Sequence, residues 1–94
     1  MRVTEGVFAL TIHKSIDLTN EKLLLSFQDG DSKDGGALLL SIGGEKEVAQ
    51  AGSRFDLRKY SKRLASKDEC FLDVVEYVVP KEGEPTATFR LNCQ

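Results

Sequence analysis

Three residues of this sequence could form a nucleophile–base pair: His13 is its only histidine, and Cys70 and Cys93 are its two cysteines. A histidine next to a cysteine can accept the thiol proton, and such partners meet in space rather than in sequence. Residue type alone supports the pairing here, and no serine lies in a G-x-S-x-G turn. We therefore expect no catalytic residues, and a small enzyme with a Cys–His or metal site is the least favoured function.

The cysteine spacing matches no zinc or redox motif. No secretory signal opens the sequence, so we expect two buried, reduced thiols in a cytoplasmic protein, with a disulfide between them as the alternative. The longest runs of leucine have three residues each. Since a membrane-spanning helix needs roughly 20 apolar residues, no transmembrane segment is expected.

An acidic loop over residues 29–36 invites comparison with a calcium site, because Ca²⁺ prefers oxygen ligands at alternate positions. Counted from Asp29, the fifth, sixth and twelfth positions of an EF-hand loop are Lys33, Asp34 and Leu40. All three depart from the motif. The loop is predicted to be a solvated connection between strands, and neither a metal nor a cofactor is expected.

The strongest charge asymmetry lies in residues 54–67, which hold six basic residues against one acidic residue, a net charge of +5. The whole chain carries −2, with a pI near 5.4. A positive patch on an acidic domain can steer an acidic protein or a polyanion to it. The predicted partner-binding residues are Arg54, Arg58, Lys59, Lys62, Arg63 and Lys67.

These features favour a non-enzymatic protein-interaction module: an adaptor, an inhibitor or a small assembly subunit. Its partner would be an acidic protein or a second copy of the chain, and homo-oligomerisation is left open. A nucleic-acid or polyanion binder using the same patch is the alternative, although the segment holds only two aromatic residues, Phe55 and Tyr60, for base stacking. The patch could also be a solvated segment without a partner.

The elements that position this patch are mostly short strands, because apolar residues alternate with polar ones between turn residues. There is no tryptophan, so aliphatic residues must supply most of the core. A turn is expected over residues 17–20, and the last strand is a candidate sheet edge. The predicted strands are Gly6–Lys14, Lys22–Gln28, Ala37–Ile42, a weaker Lys46–Gln50, and Thr86–Cys93.

Two segments are ambiguous. Residues 56–66 are predicted to form a short helix capped by Asp56. Residues 68–79 are predicted to be a strand with a β-bulge between Asp73 and Glu76, but their acidic residues also fit a helical stripe.

The sequence thus predicts one domain, residues 1–94, with an all-β fold: a small antiparallel β-sandwich or barrel of five to six strands with one short helix. The alternative is an α+β fold in which 68–79 is helical.

Overall fold

A computed structural model describes residues 2–19 and 22–94, with residues 2 and 3 described by their backbone alone. The described residues form nine strands and two short 3₁₀-helices, Leu57–Lys59 and Lys62–Leu64. The strands are β1 Arg2–Val3, β2 Gly6–Thr11, β3 Ser15–Leu18, β4 Leu23–Gly30, β5 Leu38–Ile42, β6 Glu45–Ala49, β7 Arg54–Asp56, β8 Cys70–Val78 and β9 Thr86–Cys93. The predicted all-β fold is confirmed.

The strands form two sheets, with strand orders β1-β3-β4-β5-β6 and β2-β9-β8-β7. Neighbouring strands are antiparallel, except that β1 pairs with β3 in parallel. The inner faces of both sheets bury their apolar side chains in one cluster, as in a β-sandwich. The α+β alternative is wrong, because residues 70–78 are a strand.

The core contains mostly leucine, and a few aromatic rings join its parts. Phe27 of one sheet meets Tyr77 of the other edge-on, with ring centroids 5.9 Å apart. Phe8 stacks on Phe89, its cross-strand neighbour, at 5.4 Å. Burying one leucine or phenylalanine contributes about 1.5–3 kcal/mol, so the first contact helps to hold the two sheets together and the second strengthens the pairing of β2 with β9.

The predicted bulge lies in β8, where the register with β9 shifts between Val74 and Glu76. Asp73 lies opposite Arg90, and Glu76 lies opposite Thr88 two residues along β9. Both acidic residues therefore share the outer face of the sheet. One extra residue in a strand moves the polar positions off the period of two, and this explains their helix-like spacing.

Two expectations about the strands are wrong. Residues 15–18 form β3 rather than leading into a turn, because Ile16 and Leu18 are buried on alternate positions; of the turn predicted over 17–20, Asn20 lies outside the described residues. The last strand, β9, is not an edge, because it lies between β2 and β8.

Candidate binding surface

The basic segment follows the short strand β7 and contains two single-turn 3₁₀-helices instead of the predicted helix over 56–66. Asp56 is the cap, as predicted, and its Oδ1 accepts the backbone N–H of Arg58 at 3.1 Å. The extended backbone of Ser61 separates the two turns. Leu57 and Leu64 are fully buried and anchor one turn each to the core.

Arg54 does not present a free charge. Its Nε donates to Oδ1 of Asp73 at 2.7 Å and its Nη2 donates to Oδ2 at 3.2 Å. The guanidinium also lies over the ring of Phe71, 4.8 Å from the centroid. The hydrogen bond and the charge of Asp73 raise the pKa of Arg54 further. Arg54 is thus paired within the domain, which weakens its case as a partner-binding residue.

The guanidinium of Arg58 is also bonded within the domain. Its Nε and Nη2 donate to the two carboxylate oxygens of Asp56 at 3.0 and 2.9 Å, and its Nη1 donates to the carbonyl of Asp68 at 2.8 Å. The hydrogen bond from Arg58 lowers the pKa of Asp56. A planar guanidinium that donates to a carboxylate and a carbonyl of its own domain acts first to stabilise the fold.

The other four basic residues differ from Arg54 and Arg58. They are exposed, and within residues 2–19 and 22–94 their side chains form no hydrogen bond or ion pair. We call these four residues the cationic loop: Lys59, Lys62, Arg63 and Lys67. The structure therefore divides the predicted site into two structural arginines and four cations free to meet a partner.

Tyr60 joins this segment to the neighbouring strand β6. Burial, then the neighbouring carboxylates of Glu47 and Glu45, raises the pKa of Tyr60 to about 12. The tyrosine ring is half-buried, so it is held by the domain instead of being free to stack on a base. The cationic loop thus lies beside an acidic strand edge.

The three aspartates of the acidic loop serve the backbone. Oδ2 of Asp31 accepts the N–H of Ala37 at 3.1 Å, and Oδ1 of Asp34 accepts the N–H of Val79 at 2.6 Å. Oδ1 of Asp29 accepts the N–H of Gly30. Across the described part of the chain, no group of three or more histidine, cysteine or acidic residues is arranged to hold a metal ion.

The expectation of two reduced thiols is wrong. Cys70 and Cys93 lie directly opposite each other on β8 and β9, and their sulfurs form a disulfide. The hairpin register brings these two residues together, and the spacing in sequence gave no sign of it. With both sulfurs bonded, no thiol is present for His13, which lies exposed after the end of β2.

Comparison with protein-family models, with curated proteins and with solved structures found no match to this chain. None of the helices in the described ranges has the length and hydrophobicity needed to span a bilayer.

Proposed function

We propose that this domain is a non-enzymatic protein-interaction module that binds an acidic protein surface through the cationic loop. The observation that carries the proposal is the set of four exposed cations without a partner among the described residues, next to two arginines that are already paired. Opposite charge at a partner surface speeds association and selects among partners more than it adds affinity. Adaptor, inhibitor and small assembly subunit are the roles that fit.

The shape of the loop supports this role. Leu57 and Leu64 fix its two turns to the core, and Arg58 ties its beginning to the carbonyl of Asp68 at its end. A loop held in this way loses little conformational freedom on binding, and pre-organisation of this kind favours affinity.

The test is a charge-reversal series measured with a fluorescent poly-glutamate peptide as the probe. Lys62→Glu with Arg63→Glu should greatly weaken binding and leave the melting temperature unchanged, since neither side chain bonds to any residue that the structure describes. Lys33→Glu with Lys81→Glu is the matched control, with the same change of charge at exposed sites elsewhere. Equal binding by both double variants would refute the cationic loop as the site.

The same variants distinguish the nucleic-acid alternative. A polyanion binder would hold single- or double-stranded oligonucleotides with an affinity that falls steeply with salt, with a slope near the number of phosphates contacted. The half-buried ring of Tyr60, beside the carboxylate of Glu47, counts against base stacking. Tighter binding to oligonucleotides than to poly-glutamate at equal salt would favour this alternative over the protein partner.

The cellular location also stays a proposal. A cytoplasmic location was expected together with two reduced thiols, whereas a disulfide such as Cys70–Cys93 is typical of oxidising compartments. We therefore favour an oxidising compartment. Thiol-alkylation mass shifts on protein taken from its native source, without reductant, test this: labelled cysteines would support the cytoplasm.

A further inference from the structure

The two sheets have four edge strands, and three of them carry features that discourage pairing with another chain. β1 has two residues, and β7 has three with an ion pair to its neighbour. β6 carries Glu45, Lys46 and Glu47. Short length and charged side chains are the usual means by which proteins protect their sheet edges.

β2 is the exception. Its six residues, Gly6–Thr11, contain no charged side chain, and among the strands of the described residues β9 is its only neighbour. Val7 is 62% exposed, and Ala9 is also exposed. A strand of this length with apolar, uncharged residues at an open edge is a template for another strand.

The backbone of β2 has the groups needed for such pairing. The N–H of Ile12 donates to the carbonyl of Pro85 at 2.9 Å, in the continuation of the β2–β9 register. Since bonded and non-bonded pairs alternate in an antiparallel ladder, the N–H and C=O groups of Val7 and Ala9 point away from β9. The carbonyl of Thr11 agrees with this, because it accepts the N–H of Lys14 on that same side. No described residue bonds the outward groups of Val7 or Ala9.

We infer that the free edge of β2 pairs antiparallel with β2 of a second copy of this chain, around a twofold axis at Ala9. The flanking charges support a second copy as the occupant. Glu5 precedes the strand and Lys14 follows it, so antiparallel pairing brings the acid of each copy to the basic end of the other.

The register follows from the outward-pointing groups. With Ala9 opposite Ala9, the inner-face residue Phe8 lies opposite Leu10 of the second copy, and Val7 lies opposite Thr11. The Phe8–Leu10 pairs continue the hydrophobic core across the axis, because both residues belong to or pack on that core. The two smaller sheets become one continuous eight-stranded sheet with an isologous interface.

Light-scattering mass on a size-exclusion column, over a range of loading concentrations and at low and high salt, tests the inference. We expect twice the 10.4 kDa chain mass at both salts. Val7→Lys should give the single-chain mass. Val48→Lys, at a 72% exposed valine on the β6 edge, is the matched control and should keep the dimer. Circular dichroism melts of each variant confirm that the fold is retained.

Three outcomes would overturn the inference: a wild-type monomer at all concentrations, a dimer that persists in Val7→Lys, or one lost only in Val48→Lys. A salt-sensitive dimer would point instead to the cationic loop meeting acidic surface. Ala9→Cys adds a direct test of register, because Cys70 and Cys93 are already bonded. It should form an intermolecular disulfide under mild oxidation much faster than Val7→Cys, and equal rates would refute the axis at Ala9.

Discussion

Arg58 donates through Nε and Nη2 to both carboxylate oxygens of Asp56, at 3.0 and 2.9 Å. Asp56 lies at the end of β7, and the third contact of the same guanidinium, to the carbonyl of Asp68, lies just before β8. One side chain thus joins the two ends of the segment that carries the cationic loop. Its role in folding can be separated from any role in binding.

Arg58→Ala should lower the melting temperature, while Arg63→Ala should leave it unchanged, because of these two arginines only Arg58 bonds to other described residues. Arg58→Lys should also be destabilised, since lysine lacks the planar fork that satisfies a carboxylate and a carbonyl together. Thermal unfolding followed by circular dichroism measures all three. Identical melting temperatures of the Arg58→Ala and Arg63→Ala variants would show that the hydrogen bonds of Arg58 contribute nothing to stability.

Gly30→Ala should destabilise the protein by steric conflict. A Cβ at this position would lie 2.8 Å from Cζ of Tyr77 and closer still to its hydroxyl, which donates to the carbonyl of Asp31. Overpacking a buried site costs about 1–3 kcal/mol, and each 1 kcal/mol lowers the melting temperature of a domain this size by roughly 4–8 °C. Denaturant titration measures the loss.

The matched experiment places Gly30→Ala in a Tyr77→Phe background. Without the hydroxyl, the added methyl group should have a smaller effect than it has in the wild-type chain. Additive effects of the two substitutions would contradict the proposed collision, because residues in contact are expected to couple.

Stability should fall in alkali because of Tyr60. Its pKa is raised from 10.0 to about 12 in the folded protein, so the unfolded chain loses the phenolic proton at a lower pH than the folded one. The resulting stabilisation is complete below pH 10 and is lost as the pH rises from 10 to about 12. Tyr60→Phe should decline less over that range when the free energy of unfolding is compared with that of the wild type.

Tyrosinate absorbance gives an independent reading, because the chain has two tyrosines and no tryptophan. Burial also raises the pKa of Tyr77. Neither ring should therefore ionise near pH 10 in the folded protein. In the Tyr77→Phe variant Tyr60 is the remaining tyrosine, and its ionisation near pH 10 would contradict the environment described for it.

Reduction should destabilise the domain. The Cys70–Cys93 disulfide spans 23 residues of sequence, and closing a loop of that length restricts the unfolded chain by about 3 kcal/mol. Urea titration with and without a phosphine reductant should differ by an amount of this order. The double variant Cys70→Ala, Cys93→Ala should be insensitive to reductant, and an equal response from both proteins would mean that the bond does not act in this way.

Much of the fold could be predicted, because a sheet with one buried face produces alternation that is visible in the residues themselves. Phe8 and Leu10 in β2, and Phe89 and Leu91 in β9, fall on alternate positions and lie half-buried or buried in the structure. β3 was missed because a four-residue strand has too few repeats to show a period. The same brevity explains why five to six strands were expected and nine are present in the described residues.

The candidate site was only partly predictable, for a different reason. The Arg58–Asp56 pair lies two residues apart, so its signal was present in the sequence. Arg54 and Asp73 lie 19 residues apart, and only the β7–β8 register brings them together. A count of charges gives the net charge of a segment, but the strand pairing decides which of those charges are neutralised.

The disulfide between the ends of the β8–β9 hairpin also governs how the molecule responds to mechanical force. Tension applied at the two ends of the chain would pass from Cys93 directly to Cys70, so the hairpin between them would bear none of it. At ~3.5 Å for each extended residue, the bond withholds about 80 Å of contour length. The oxidation state of a single pair of sulfur atoms therefore changes, by this amount, the length to which the chain can be stretched.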